Sequence, residues 1–165
     1  MIDSERLFLL PIDANMIDAL LMGDDVFFSK YGYINDGGEY LNPSPEYLHK
    51  IKARLIEHPE EYPLAVDQLI ILKDSKTVIG TIYYKKLPNY GATEVGYGMN
   101  PKYEGHGYMT EALNVLLEYG KSMGVTIVFA ETSCRNFKSQ NVLDRNGFIA
   151  YKEDGQIMWF SKMLL

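Results

Sequence analysis

Asn100-Pro101-Lys102-Tyr103-Glu104-Gly105-His106-Gly107-Tyr108-Met109-Thr110-Glu111-Ala112-Leu113 is the stretch on which the reading of this chain turns. A β-like run, Ala92 to Met99, ends just before Pro101, and two glycines stand directly ahead of a helical pattern. Glycine lacks a Cβ, so its backbone takes positive φ and lets a ligand approach closely. Strand, glycine loop and helix in that order set free amide N–H groups at the positive end of a helix. Such an arrangement holds an anion, most often a phosphate or pyrophosphate. The plain alternative is an ordinary strand-to-helix turn. A Walker A loop is excluded, because Gly-Lys-Ser/Thr is missing. A dinucleotide fold wants a third glycine where Thr110 stands, and the thirty-four residues after Glu131 are too few for its second parallel half.

Working outward, the chain alternates strands and helices. Glu5 to Leu10 reads as a strand, and Asp13 caps a helix carrying Met16, Ile17, Leu20 and Leu21, closed by Gly23. Tyr31 to Pro43 is polar, aromatic and glycine-containing, and reads as a long loop. Ser44-Pro45-Glu46 starts a second helix, with a cap, a proline at the first position and an acid in the first turn. Leu64 to Leu72 and Thr77 to Tyr84 form a hairpin around Asp74-Ser75-Lys76, and Ala92 to Met99 follows as the next antiparallel strand. Beyond the glycine loop, Leu113, Leu116 and Leu117 mark a helix running to Lys121. Val125 to Ala130 is a continuous apolar run, expected of a strand buried on both faces. Asn136 to Arg145 reads as a short helix, and Phe148 to Tyr151 and Ile157 to Met163 flank a turn at Asp154-Gly155. These elements predict an α/β (α+β) fold: a mixed, mostly antiparallel sheet of about six to seven strands flanked by helices, as one domain over residues 1–165.

Composition narrows the function. The chain has 165 residues, 47% apolar and 23% charged, with a net charge of −6. That balance argues against nucleic acid as a partner and suits a cationic substrate such as an amine. The one cysteine, Cys134, forms no intrachain disulfide and no cysteine-based zinc cluster, and fits a reducing, cytoplasmic setting. As a lone thiol it is more simply a packed residue than a nucleophile. The N-terminal residues lack the basic and apolar regions of a secretory signal, and no apolar run reaches the ~18 residues of a bilayer span. His49 and His58 fall on the second helix and at its end, where a surface role is expected, and Trp159 reads as core or sheet surface.

A second cluster completes the pattern: Asn136-x-x-Ser139 and Leu143-x-x-x-Gly147-Phe148, set between two strands. Together with Ser4-Glu5-Arg6-Leu7, Val78-Ile79-Gly80-Thr81, Glu94-Val95-Gly96-Tyr97 and Tyr103 to Leu113, it resembles the GNAT superfamily of acyl-CoA-dependent N-acetyltransferases, most nearly its RimJ/RimL-like branch. The resemblance spans nearly the whole chain. It implies transfer of an acetyl group from acetyl-CoA to a primary amine, by direct attack in a ternary complex and without a metal. The acceptor is left open between a small-molecule amine and a protein N-terminus, and a homodimer is left open too. A non-catalytic acyl-CoA-binding module is the alternative on the same fold.

The resemblance also implies roles. Backbone amides of Glu104, Gly105, His106, Gly107, Tyr108, Met109 and Thr110 hold the CoA diphosphate. Gly107 matches the family loop, while Glu104 replaces the usual Gln or Arg and Met109 a small residue; His106 stands where Lys is common. An acid beside a diphosphate is locally repulsive, and a methionine is bulky there. The strand before the loop parts from its parallel neighbour, so amides of Tyr97, Gly98 and Met99 meet pantetheine and the acyl oxygen. Asn136 bonds the pantetheine arm, with a helix N-cap as the simpler reading. Ser139 lies near the sulfur and serves the departing thiolate. From the residues themselves, Glu94 is the first candidate for general base and Glu131 the second, each with a plain alternative as a surface-paired or solvated carboxylate. Gly96 and Gly98 alternate onto the Glu94 face and leave room beside it. Tyr31, Tyr33 and Tyr40, with Glu39, are expected to line the acceptor site, where aromatic and acidic groups suit an amine; a loop packed over the core is the plain alternative.

Overall fold

The computed structural model describes residues 2–37, 43–64, 66–85 and 91–165. Among them lie nine strands: β1 (Ile2–Asp3), β2 (Leu7–Pro11), β3 (Ile34–Asn35), β4 (Gln68–Leu72), β5 (Thr77–Tyr84), β6 (Ala92–Met99), β7 (Ile127–Ser133), β8 (Ile149–Glu153) and β9 (Ile157–Met163). The sheet runs β1-β2-β4-β5-β6-β7-β9-β8, and β3 pairs with β5. All pairings are antiparallel except β6 with β7 and β3 with β5. The expected six to seven strands are thus exceeded by β1 and β3. Each has only two residues, too few for alternation of apolar and polar positions to register in the sequence.

Among the described residues, five α-helices flank the sheet: α1 (Ala14–Met22), α2 (Asp24–Tyr31), α3 (Pro45–Glu57), α4 (Tyr108–Ser122) and α5 (Phe137–Arg145). Capping explains the starts of α1 and α3: Asp13 accepts from the Met16 amide at 2.8 Å and Ser44 from the Tyr47 amide at 3.2 Å. Gly23 ends α1 and opens α2 with φ 135°, so the expected stop is also a start. Helix α2 went unread because it follows that glycine without a polar cap and carries only a weak apolar face, Phe27 and Phe28. The segment read as a loop from Tyr31 therefore begins on the last residue of α2 and includes β3.

Two apolar clusters sit on opposite sides of the sheet. One joins Leu9, Ile70, Ile82 and Val95 to Leu113, Leu116 and Leu117 of α4 and Leu143 of α5. The other joins Ile71 and Val78 to Ile17, Phe27, Leu48 and Ile51 of the first three helices. Strand β7 corrects the expectation of burial on both faces. Val128, Ala130 and Thr132 are buried, whereas Ile127 and Phe129 are half-buried and Glu131 is exposed. Helices α4 and α5 cover one face of this strand, and the apolar character of its other face misled the reading. Strand β8 closes one side of the sheet, exposed along its whole length, and its register with β9 shifts between Ala150 and Lys152.

Candidate active site

The site begins where two strands part. Strand β6 stays paired with β5 from Val95 to Met99, but its parallel ladder with β7 covers only Ala92 to Glu94, opposite Ile127 to Phe129. Past Glu94 the two strands diverge, and a cleft of about 800 Å³ opens beside β6, lined by residues of β5 to β7, the glycine loop, α4 and α5. The Asn100 amide donates to the Ile79 carbonyl on the β5 side. By the alternation of an antiparallel ladder, the amides of Tyr97 and Met99 then point to the opened side, and that of Gly98 points to β5.

The glycine loop forms the outer end of the cleft. Asn100, 3% exposed, caps a single 3-10 turn at Pro101–Tyr103 by accepting from the Lys102 amide at 3.1 Å. Gly105 and Gly107 both adopt φ 79°, which favours glycine. Gly107 is the N-cap of α4, and no side chain caps that helix. Its first amides therefore keep their donor capacity for a ligand.

Behind the loop stands Arg6, from the turn before β2. Its Nε donates to Glu111 Oε2 at 2.7 Å, its Nη1 to the His106 carbonyl at 3.0 Å, and its guanidinium lies 4.5 Å from the centre of the Tyr108 ring. The Arg6 amide and the Ser4 hydroxyl donate to Glu111 Oε1 at 2.8 and 2.7 Å. Burial pushes the Glu111 carboxyl up, but these donors and the Arg6 charge outweigh it and hold the group below the ordinary carboxylate range. The His106 ring stacks on Tyr108, with Nδ1 2.9 Å from the Glu104 carbonyl.

The two departures from the family loop find physical explanations. Glu104 pairs with Lys138 of α5, so its charge is compensated across the cleft. Met109 is 7% exposed and packs in the α4-side core, so its bulk does not fill the loop. Thr110 lines the cleft, and its carbonyl accepts from Asn146 Nδ2 at 3.3 Å.

On the facing wall, Asn136 caps α5 by accepting from the Ser139 amide at 3.1 Å. The Tyr97 phenol oxygen lies 2.9 Å from Ser139 Oγ, a contact between the two walls. At the inner end, Lys85 Nζ is 2.5 Å from Glu94 Oε1 and 3.3 Å from Glu131 Oε1, so one ammonium ties both candidate bases. Burial lowers the Lys85 value, but its bonds to the two carboxylates raise it more, and Lys85 stays charged. The room expected beside Glu94 is partly filled: a Cβ on Gly96 would meet the Tyr83 ring at 2.8 Å, while Gly98 faces open space.

Tyr31 and Tyr33 pack against the cluster beneath α1 to α3, Tyr31 on Phe27 and Tyr33 on Phe8, and neither lines the cleft. Tyr40 and Glu39 lie outside the described residues. Burial and the Glu153 carboxyl push the Cys134 thiol up, which keeps it protonated. Lys85, Tyr83, Arg6 and Lys138 were missed as parts of the site. Only Arg6 had a sequence signal, its place in the Ser4-Glu5-Arg6-Leu7 motif. No group of three or more His, Cys, Asp or Glu side chains placed to hold a metal ion occurs among the described residues, and no helix among them is long and apolar enough to cross a membrane.

The acetyltransferase (GNAT) domain family matches residues 6–149. An uncharacterized N-acetyltransferase of Bacillus subtilis (strain 168), YnaD, is 29% identical over 116 residues, covering 70% of this chain and 63% of that protein. The match thus spans somewhat under two thirds of the length of this curated relative. Among solved structures, the ribosomal-protein-S5-alanine acetyltransferase of Vibrio fischeri has a TM-score of 0.69 at 21% identity, covering 98% of this chain and 94% of that one. RimL, a ribosomal L7/L12 alpha-N-protein acetyltransferase solved with coenzyme A, also has a TM-score of 0.69, at 18% identity and covering 98% and 96%.

Proposed function

The chain belongs to the acetyltransferase (GNAT) domain family, and on that premise we propose that it transfers an acetyl group from acetyl-CoA to a primary amine. The observation that carries the reading is the parting of β6 from β7 beside an uncapped, glycine-bordered helix start. Amides at the start of α4 take the diphosphate, and pantetheine follows the cleft between β6 and α5. The amides of Tyr97 and Met99 face the acyl oxygen, where charge develops as the amine attacks. A lysine-like ammonium has a pKa of ~10, so the acceptor must first lose a proton. Glu94 takes it directly or through a water, once the acceptor's own ammonium replaces Lys85 beside the carboxylates; Glu131 shares that inner end. The acceptor is a small-molecule amine or a protein N-terminus; the two named structural relatives are ribosomal-protein acetyltransferases, which favours the second.

Calorimetry with CoA and acetyl-CoA, followed by a free-thiol release assay over a panel of amines and N-terminal peptides, tests this. Saturable CoA binding and amine-dependent thiol release are expected. Tight binding without release on any acceptor makes the chain a binding module instead. Glu94→Gln is expected to lower kcat more than Glu131→Gln; the reverse order moves the base to Glu131.

Arg6 gives a further expectation, since it ties the His106 carbonyl and Tyr108 to Glu111 without lining the cleft. Arg6→Met is expected to weaken CoA binding about tenfold, on the scale of one charge-assisted hydrogen bond. Because the Glu111 carboxyl is held below its unfolded value, its contribution to stability is complete above pH ~4.3 and is lost as pH falls through the lowered value. An acid titration of thermal stability should show this loss in the parent and a smaller one in Arg6→Met. Unchanged CoA affinity in Arg6→Met rejects the anchoring role.

A further inference from the structure

Tyr97 stands on β6 just past the point where that strand leaves β7, and Ser139 lies in the first turn of α5 on the other wall. The Tyr97 oxygen is 2.9 Å from Ser139 Oγ and 3.3 Å from the Ser139 carbonyl, and both residues line the cleft. The Tyr97 ring packs on the α4-side core, so its hydroxyl is delivered from a fixed base. Resting on the acetyl-transfer reading above, we propose that Tyr97 and Ser139 form a hydrogen-bond cradle for the departing sulfur, in which Tyr97 donates to Ser139 Oγ, Ser139 donates to the thiolate, and neither gives up its proton.

The chemistry of the leaving group favours this over proton donation. As the amine nitrogen bonds to the carbonyl carbon, the carbon–sulfur bond breaks and its electron pair goes to sulfur. A thiol of this kind has a pKa of ~8.5 and a phenol ~10, and an aliphatic hydroxyl is a far weaker acid than either. Proton transfer from Ser139 or Tyr97 to the thiolate therefore runs uphill. Burial pushes the Tyr97 phenol up to about 12, despite its bond to Ser139, and widens the gap. A hydrogen bond meets no such barrier and still stabilises the charge that grows on sulfur. The nitrogen's proton passes to base or water, and the thiolate takes its own from solvent after it leaves.

A serine hydroxyl has one proton and two lone pairs. If Tyr97 fills one lone pair, the Ser139 proton is turned away from Tyr97 and toward the cleft. Ser139 touches the reacting atom and is catalytic; Tyr97 acts through it and is a positioning residue.

Tyr97→Phe keeps the ring and removes only the hydroxyl. Its kcat is expected to fall about tenfold with the Kd for CoA unchanged, as for the loss of one aligned hydrogen bond. In a Ser139→Ala background, Tyr97→Phe should add nothing further, because the pair acts as a unit. The parent's kcat should rise as the amine deprotonates and then stay flat to pH ~10, since no acid delivers a proton in the step and the Tyr97 phenol, pushed up to about 12, keeps its own over that range. Additive losses in the double variant, or an alkaline limb in the parent that disappears in Ser139→Ala or Tyr97→Phe, overturn the cradle. Full kcat in Tyr97→Phe, with the parent active, overturns the cradle alone. A parent that binds CoA and acetylates no amine overturns the enzyme reading and the cradle with it. Thermal unfolding of each variant separates these results from loss of fold, and the Ser139→Ala pH profile stands on its own if Tyr97→Phe does not fold.

Discussion

Gly107→Trp is expected to lower the affinity for CoA at least a hundredfold, about 2.7 kcal/mol or more, with the sheet and both cores intact. Gly107 caps α4 from the left-handed region, at φ 79°, and borders the cleft. Two effects add in the variant. A side chain at this φ is strained by about 1–2 kcal/mol, and an indole at the helix start covers the amides proposed to hold the diphosphate. Gly107→Ala separates them. The nearest atom to a Cβ there is Arg6 Nη2 at 3.6 Å, so a methyl group fits and carries only the strain. Calorimetry should find a small loss in the alanine variant and near-abolition in the tryptophan variant, with comparable melting temperatures. A folded Gly107→Trp chain that binds CoA normally removes the loop from the site, and the proposed function goes with it.

Gly120→Ala is expected to destabilise the chain by about 2–3 kcal/mol, lowering Tm by roughly 4–12 °C. Helix propensity alone points the other way, since alanine in a helix is favoured over glycine by ~1 kcal/mol. Packing decides against it. Tyr84, 5% exposed on β5, runs beneath α4 and donates to the Leu116 carbonyl at 3.0 Å. A Cβ on Gly120 would overlap the Tyr84 hydroxyl and lie 3.1 Å from Cζ. Tyr84 is locked between sheet and helix, so relief requires the helix to shift or the phenol to lose its bond. Combining Gly120→Ala with Tyr84→Phe removes the overlapping atom and should recover part of the loss. A Gly120→Ala chain as stable as the parent would show that the helix rides free of Tyr84.

The sequence made legible what is local. The cap at Ser44, the turn at Asp154-Gly155 and the order strand, glycine loop, helix around Gly107 are all within a few residues of the features that signal them. Asn136 likewise announced a cap, and it is one. What remained hidden depends on contacts across the chain. Arg6 reaches Glu111 over 105 positions, and Tyr97 meets Ser139 over 42. No spacing rule foretells such pairs. The match of Tyr83 to the empty side of Gly96 follows from the register of β5 on β6, which the residues imply only once the hairpin is built. Lys85 was passed over for a similar reason: its place between Glu94 and Glu131 requires the parallel pairing of β6 with β7, which brings together carboxylates 37 positions apart. Tyr31 and Tyr33 take the plain alternative of packing over the core. Aromatic loop residues read as ligand contacts, but the unread α2 carries Tyr31 onto the core.

The irregular step in β8 has a consequence for how copies of the molecule tolerate one another. A fully exposed outermost strand offers unpaired main-chain groups to any extended peptide, the first requirement for fibril growth. The shift between Ala150 and Lys152 breaks the even pitch that stacking needs, and Lys152 and Glu153 add charge to the same margin. The opposite margin, β1, is two residues long. Neither border gives a straight template, so concentrated solutions should stay free of amyloid-like thread.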